Sequence, residues 1–155
     1  MGEMRMPIAG VSIAPLRIIQ DERGAVMHML RADAPDFVGF GEAYFSIVKP
    51  GAVKAWKRHR EMVQNLAVPV GAIRLVVYDD RQDSPTRGTV GDLVTGAGID
   101  RYELVRLPPM VWYGFVGLGD GDSVIANCAS LPHDPSEVER LSSDCDGIPY
   151  KWSQV

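Results

Sequence analysis

Apolar positions in this chain recur in short alternating runs rather than at helical spacing. Such runs cover residues 10–16, 25–30, 42–48, 53–59, 64–70, 72–78, 102–107, 115–118 and 123–128, with Gly, Pro, Asp or Asn in most of the breaks between them. Alternation with a period of two marks half-buried strands, and many short strands at close spacing predict an antiparallel sandwich or barrel. The breaks between runs carry turn chemistry: Asp21-Glu22-Arg23-Gly24, Lys49-Pro50-Gly51, Asp83-Ser84-Pro85-Thr86, Pro108-Pro109 and Gly119-Asp120-Gly121. Helical signals gather only at residues 135–141, where Asp134 would cap the first turn and Pro135 would occupy its first position. The expectation is one all-β domain spanning residues 1–155, closed by a short C-terminal helix and tail.

Composition narrows this picture. Sixteen Gly and eleven Pro among 155 residues leave little room for long helices, and 46% hydrophobic residues suffice for a single core. A net charge of −4 argues against a nucleic acid as main partner, since that binding rests on Lys and Arg neutralising phosphates. No apolar run approaches the ~20 residues of a membrane span, and the N-terminus lacks a long apolar stretch, so no membrane partner and a cytoplasmic location are expected. Cys128 and Cys145 sit in no metal or redox motif and read as reduced thiols.

The densest chemistry is Lys54-Ala55-Trp56-Lys57-Arg58-His59-Arg60-Glu61. As a regular strand, it would present Ala55, Lys57, His59 and Glu61 on one face and Lys54, Trp56, Arg58 and Arg60 on the other. Inside a barrel, Lys57 and His59 would be desolvated neighbours, and burial with like charge would lower both pKa values toward those of a general base. The same residues would also suit a solvated edge strand whose charges deter aggregation.

Several blocks in order give the chain a family resemblance: Asp21-Glu22-Arg23-Gly24, Gly51-Ala52-Val53-Lys54-Ala55-Trp56, Gln64, and Asp79 to Gly88 with its Asp-x-Arg and Ser-Pro-Thr elements. Leu107-Pro108-Pro109, Tyr113-Gly114-Phe115, Asp134-Pro135 and Ile148-Pro149-Tyr150-Lys151-Trp152 continue it. Together they resemble the dTDP-4-dehydrorhamnose 3,5-epimerase family over nearly the whole chain. The resemblance implies a cupin-type double-stranded β-helix or jelly roll, a homodimer formed through N-terminal strands, and a nucleotide-linked 4-keto-6-deoxy sugar as substrate, with no cofactor or metal. It implies substrate binding by Arg23, His28, Lys54 and Gln64, with Lys54 and Arg23 on the phosphates.

The family's catalytic pattern is altered here. Lys57 stands where the family has its histidine base, Tyr113 replaces the histidine of a His-Gly-Phe motif, the family's acidic tyrosine aligns with Ala126 and its lysine with Asn65, and His28 stands at a glutamate position. The base-orienting aspartate would be Asp144 or Asp146. Under this reading the catalytic set is Lys57 as base, His59 as the neighbour keeping it neutral, Tyr113 as acid or enolate-stabilising donor, and Asp144. Metal-binding cupins use two histidines in a His-x-His pair, a glutamate and a later histidine; here those slots read Lys57-Arg58-His59, Glu61 and Tyr113, too few ligands for a metal. Epimerisation or isomerisation beside a ketone is the leading expectation. The alternative is a non-catalytic cupin that binds a sugar nucleotide or a partner protein.

Overall fold

A computed structural model describes residues 6–154. The alternating runs become strands: β1 Ser12–Pro15, β2 Ile18–Asp21, β3 Gly24–Met27, β4 Glu42–Val48, β5 Val53–His59, β6 Gln64–Val70 and β7 Ala72–Tyr78, then β8 Val90–Thr95, β9 Glu103–Leu107, β10 Trp112–Leu118, β11 Ser123–Ala129 and β12 Val138–Arg140. β2 and β8 were not among the predicted runs. Two five-stranded sheets form, in the orders β1-β9-β6-β11-β4 and β12-β5-β10-β7-β8, and β2 and β3 make a separate hairpin. The pairs are antiparallel throughout these sheets, giving the expected all-β jelly roll. No helix among the described residues is long and apolar enough to cross a membrane.

Alternation decides what each face buries. From β7 and β10, Leu75, Val77, Tyr113 and Phe115 point between the sheets, where they meet Leu66, Val68, Val105, Leu107 and Ile125. Val76 and Trp112 point the other way and join Trp56 and Ile148 under the C-terminal tail. Each large side chain so buried contributes about 1.5–3 kcal/mol.

The Asp79–Gly88 block is architectural. Asp79, fully buried, accepts hydrogen bonds from Arg81 Nε at 2.8 Å, Arg81 Nη2 at 2.9 Å, Ser84 Oγ at 2.5 Å and Thr86 Oγ1 at 2.6 Å. Arg81 Nη2 also donates to the Ala9 carbonyl and Thr86 Oγ1 accepts from the Ala9 amide, so the knot ties the N-terminal segment to the loop. Burial alone would raise the Asp79 pKa, but Arg81 and the two hydroxyls outweigh it and hold the carboxyl far below its ordinary range.

The expected C-terminal helix is not formed. Asp134 does cap a first turn, accepting from the Ser136 amide at 3.0 Å, but the turn is a single 3-10 turn, Pro135–Glu137, followed by β12. A seven-residue helix is marginal alone. Here β12 instead completes the exposed edge of β5, pairing Val138 with His59 and Arg140 with Lys57.

Candidate active site

β5 departs from the expected alternation. Its register against β10 runs Tyr113 to Lys57 and then Gly114 to Ala55, leaving Trp56 as an extra residue in a bulge. One inserted residue resets the parity of a strand. Lys54 therefore shares the cavity with Lys57 instead of lying on the opposite face, while Trp56 is sent into the outer cluster beneath the tail. Gly114 belongs to this arrangement: a Cβ there would fall 2.4 Å from that of Ala55 and 3.0 Å from the Trp152 ring, so only glycine lets Tyr113 and Phe115 flank that contact.

The cavity, about 110 Å³, lies between the sheets. Lys54, Lys57 and Tyr113 line it from β5 and β10, and Tyr44, Ser46, Gln64 and Asn127 from β4, β6 and β11. It adjoins a more open cleft of about 320 Å³ that shares Tyr44 and Lys57 and adds Glu42, His59, Met62, His133, Val138 and Arg140.

A directed hydrogen-bond chain runs through these walls. The Asn65 backbone amide can only donate, and it meets Asn127 Oδ1 at 3.3 Å, which orients the Asn127 amide. Asn127 Nδ2 then donates to Tyr44 Oη at 2.9 Å and Gln64 Oε1 at 3.1 Å. With its oxygen accepting, Gln64 offers its amide hydrogens to the Tyr113 oxygen. The Tyr113 hydroxyl faces His59 Nε2 at 3.4 Å, and His59 Nδ1 lies 2.7 Å from Glu137 Oε1. Glu137 Oε2 accepts from the Glu61 and Met62 amides at 2.7 and 2.9 Å.

An ionised Glu137 has no proton to give, so His59 Nδ1 donates to it, and in the neutral imidazole Nε2 is then the acceptor nitrogen, facing Tyr113 beside the cleft. Burial works against the Glu137 charge, yet the Glu61 amide, His59 and the Met62 amide together hold its pKa below the ordinary carboxylate range. Tyr113, buried and near Tyr44, has its pKa pushed well above the phenol range and keeps its proton. Part of Lys57 is open to solvent, but burial first, and then the charges of Arg140 and Lys54, lower its pKa from the lysine value.

The sequence-derived residues thus divide. Lys54, Lys57, His59, Gln64 and Tyr113 come together. His59 does not act on Lys57 as expected, because its ring is engaged by Glu137 and Tyr113. Asp144 is exposed and accepts from Ser142 Oγ at 2.5 Å, and Asp146 is exposed beside Lys151; neither lines the cavity or its cleft. The carboxylate that meets the His59 ring is Glu137, because β12 carries it onto β5 while the tail beyond runs over the outer face of the sheet.

Arg23 sits at the β2–β3 turn, ion-paired with Asp21 at 2.7 Å, and half-buried His28 follows that hairpin; neither lines the cavity of its own chain. Asn65 and Ala126 do not line the cavity either; Gln64 and Asn127, beside them, do. Sequence reading missed Tyr44, Asn127 and Glu137. Tyr44 and Ser46 were detectable as alternate polar positions in an apolar strand; Glu137 carried no local signal.

No protein-family model matches the chain. Among curated relatives, it is 35% identical over 151 residues to the probable low-salt glycan biosynthesis epimerase Agl13 of Haloferax volcanii, covering 94% of this chain and 95% of that one. It is 29% identical over 148 residues to the spore coat polysaccharide biosynthesis protein SpsL of Bacillus subtilis, covering 94% and 97%. Among solved structures, a dTDP sugar isomerase from Desulfovibrio desulfuricans G20 superposes with a TM-score of 0.94 at 47% identity, over 99% of this chain and 97% of that one. The rmlC epimerase of Mycobacterium tuberculosis shares the fold, with a TM-score of 0.82 at 18% identity over 98% of this chain and 78% of that one. Sequence likeness sustained end to end, on the same fold, makes the chain a member of the dTDP-4-dehydrorhamnose 3,5-epimerase family of sugar-nucleotide epimerases and isomerases.

Proposed function

We propose that the cavity takes a dTDP-linked 4-keto-6-deoxy sugar and moves a proton on a carbon next to its ketone, with His59 as the base. The observation that carries this reading is the His59–Glu137 pair: a carboxylate fixes the tautomer of the neutral imidazole with Nε2 as acceptor beside the cleft that adjoins the cavity, and it stabilises the imidazolium formed when that nitrogen takes a proton. As the C–H bond breaks, its electron pair forms a carbon–carbon double bond and the carbonyl oxygen becomes an enolate. The Lys57 ammonium and the Tyr113 hydroxyl are the donors available to that oxygen. Return of a proton to carbon re-forms a ketone, giving an epimer or a shifted keto group with no cofactor.

The diphosphate is assigned to Lys54, whose Nζ already donates to Ser46 Oγ at 3.1 Å and the Ile47 carbonyl at 2.7 Å at the exposed end of the cavity. Arg23 lines neither the cavity nor the adjoining cleft of its own chain, which suits a role at a partner's site. A homodimer is supported by the β2–β3 hairpin, since an isolated two-stranded sheet is marginal alone and this one exposes Ile18, Ile19 and Val26. A cytoplasmic location fits the use of a nucleotide sugar.

The test is solvent deuterium incorporation into a panel of dTDP-4-keto-6-deoxy sugars, read by NMR. Wild-type protein should exchange a proton beside the ketone. His59→Asn should lower that rate by roughly 10²–10⁴-fold, and Lys57→Met should slow it while leaving dTDP affinity nearly intact. Binding of a panel member by wild type without any exchange would replace the enzyme with a binding module.

A further inference from the structure

Lys57 and Tyr113 line the β5–β10 wall of the cavity, and His59, at the end of β5, continues that wall into the adjoining cleft. A single wall can serve one face of a planar enolate. The opposite wall carries two hydroxyls, both on β4: Ser46 accepts from Lys54 Nζ at the end assigned to the diphosphate, and Tyr44, which no step above uses, lies beside Asn127 because β4 pairs with β11. Because Asn127 Nδ2 donates to Tyr44 Oη, the Tyr44 proton is not consumed in that bond and is free to point into the cavity.

Tyr44 and Tyr113 differ in how they can be resupplied with protons. Tyr44 is 40% exposed and lines both the inner cavity and the open cleft, whereas Tyr113 is 6% exposed and enclosed. A group that gives up its proton each turnover needs a path to water; one that only stabilises an oxyanion does not.

Resting on the base assignment above, we propose that Tyr44 is the second proton-transfer group, acting on the carbon face opposite His59, so that the reaction inverts the carbon it deprotonates. His59 Nε2 takes the proton from one face. The enolate electron pair then forms a new C–H bond with the Tyr44 hydroxyl proton on the other face, and the ketone returns. The tyrosinate left behind keeps the Asn127 hydrogen bond and is reprotonated by water through the cleft, while His59 releases its proton to solvent. One C–H bond breaks and one forms, so no oxidant or reductant enters.

The experiment compares wild type, Tyr44→Phe and His59→Asn on dTDP-4-keto-6-deoxyglucose in deuterated water, following label and configuration by NMR, with dTDP affinity by calorimetry. Wild type should return label on the inverted carbon. Tyr44→Phe should still wash label into recovered substrate with retained configuration, form epimer at least roughly 10²-fold more slowly, and bind dTDP within twofold of wild type; His59→Asn should lose both exchange and epimer.

Epimer formation by Tyr44→Phe at the wild-type rate would overturn the assignment. So would loss of exchange together with epimer in a Tyr44→Phe protein that still binds dTDP. Wild-type product labelled only with retained configuration would overturn it without any variant, and so decides the matter even if Tyr44→Phe does not fold. Absence of exchange in wild type itself would overturn the base assignment and this inference with it, a failure distinguishable because it precedes any change at Tyr44.

Discussion

Glu137 holds His59 across 78 positions of sequence, with 2.7 Å between Oε1 and Nδ1. The contact exists because β12 pairs with β5 at Val138 and His59, which sets the carboxylate beside the ring. The same carboxylate caps the Glu61 and Met62 amides, so it also fixes the turn that follows β5.

Replacing Glu137 with Gln should therefore separate orientation from folding. The amide keeps an acceptor oxygen but places an NH2 donor against either His59 Nδ1–H or two backbone amides. We expect kcat to fall at least roughly tenfold, with dTDP affinity within twofold of wild type, as read by steady-state kinetics and calorimetry. Unchanged kcat would remove Glu137 from the proton-transfer set.

Lys54→Ala should weaken dTDP binding by about 1.5–3 kcal/mol, the scale of a hydrogen bond to a charged group. The bonds from Lys54 to Ser46 and Ile47 lie at an exposed strand edge, so the melting temperature should move little. Equal affinity in the two proteins by calorimetry would place the diphosphate elsewhere.

Asp79→Asn should cost about 3 kcal/mol of stability at neutral pH, the scale of removing one partner from a buried charged pair. The folded pKa of Asp79 lies below its unfolded value, so its stabilisation is fully present above the unfolded value near 3.8 and is lost as pH falls through the folded one. Urea denaturation across pH 2–7 should therefore show a shallower acid limb in the variant, because asparagine has no proton to take up.

The hairpin and the outer face of the β4 sheet bear on assembly. Phe45 and Ile47 are 74% and 57% exposed on β4, and Ile19 and Val26 lie open on the hairpin. Sedimentation at micromolar concentration should give a dimer, and an Ile19→Asp, Val26→Asp double variant should shift it toward monomer. A monomeric wild type would leave Arg23 without a site to serve.

The sequence alone determined the all-β class, because period-two alternation and Gly/Pro/Asp turns are local properties that each strand carries by itself. It also marked Lys54, Lys57, His59, Gln64 and Tyr113, because charged or polar residues inside apolar strands stand out from their immediate neighbours. Three things were decided only in three dimensions. The extra residue at Trp56 reset which face Lys54 occupies, and that depends on the register of β5 against β10. Residues 135–141 gave up helix for strand because the free edge of β5 offers backbone partners that an isolated short helix lacks. Glu137, rather than a tail aspartate, met His59, because hydrogen-bond partners 78 positions apart are chosen by strand pairing and no local pattern records that choice.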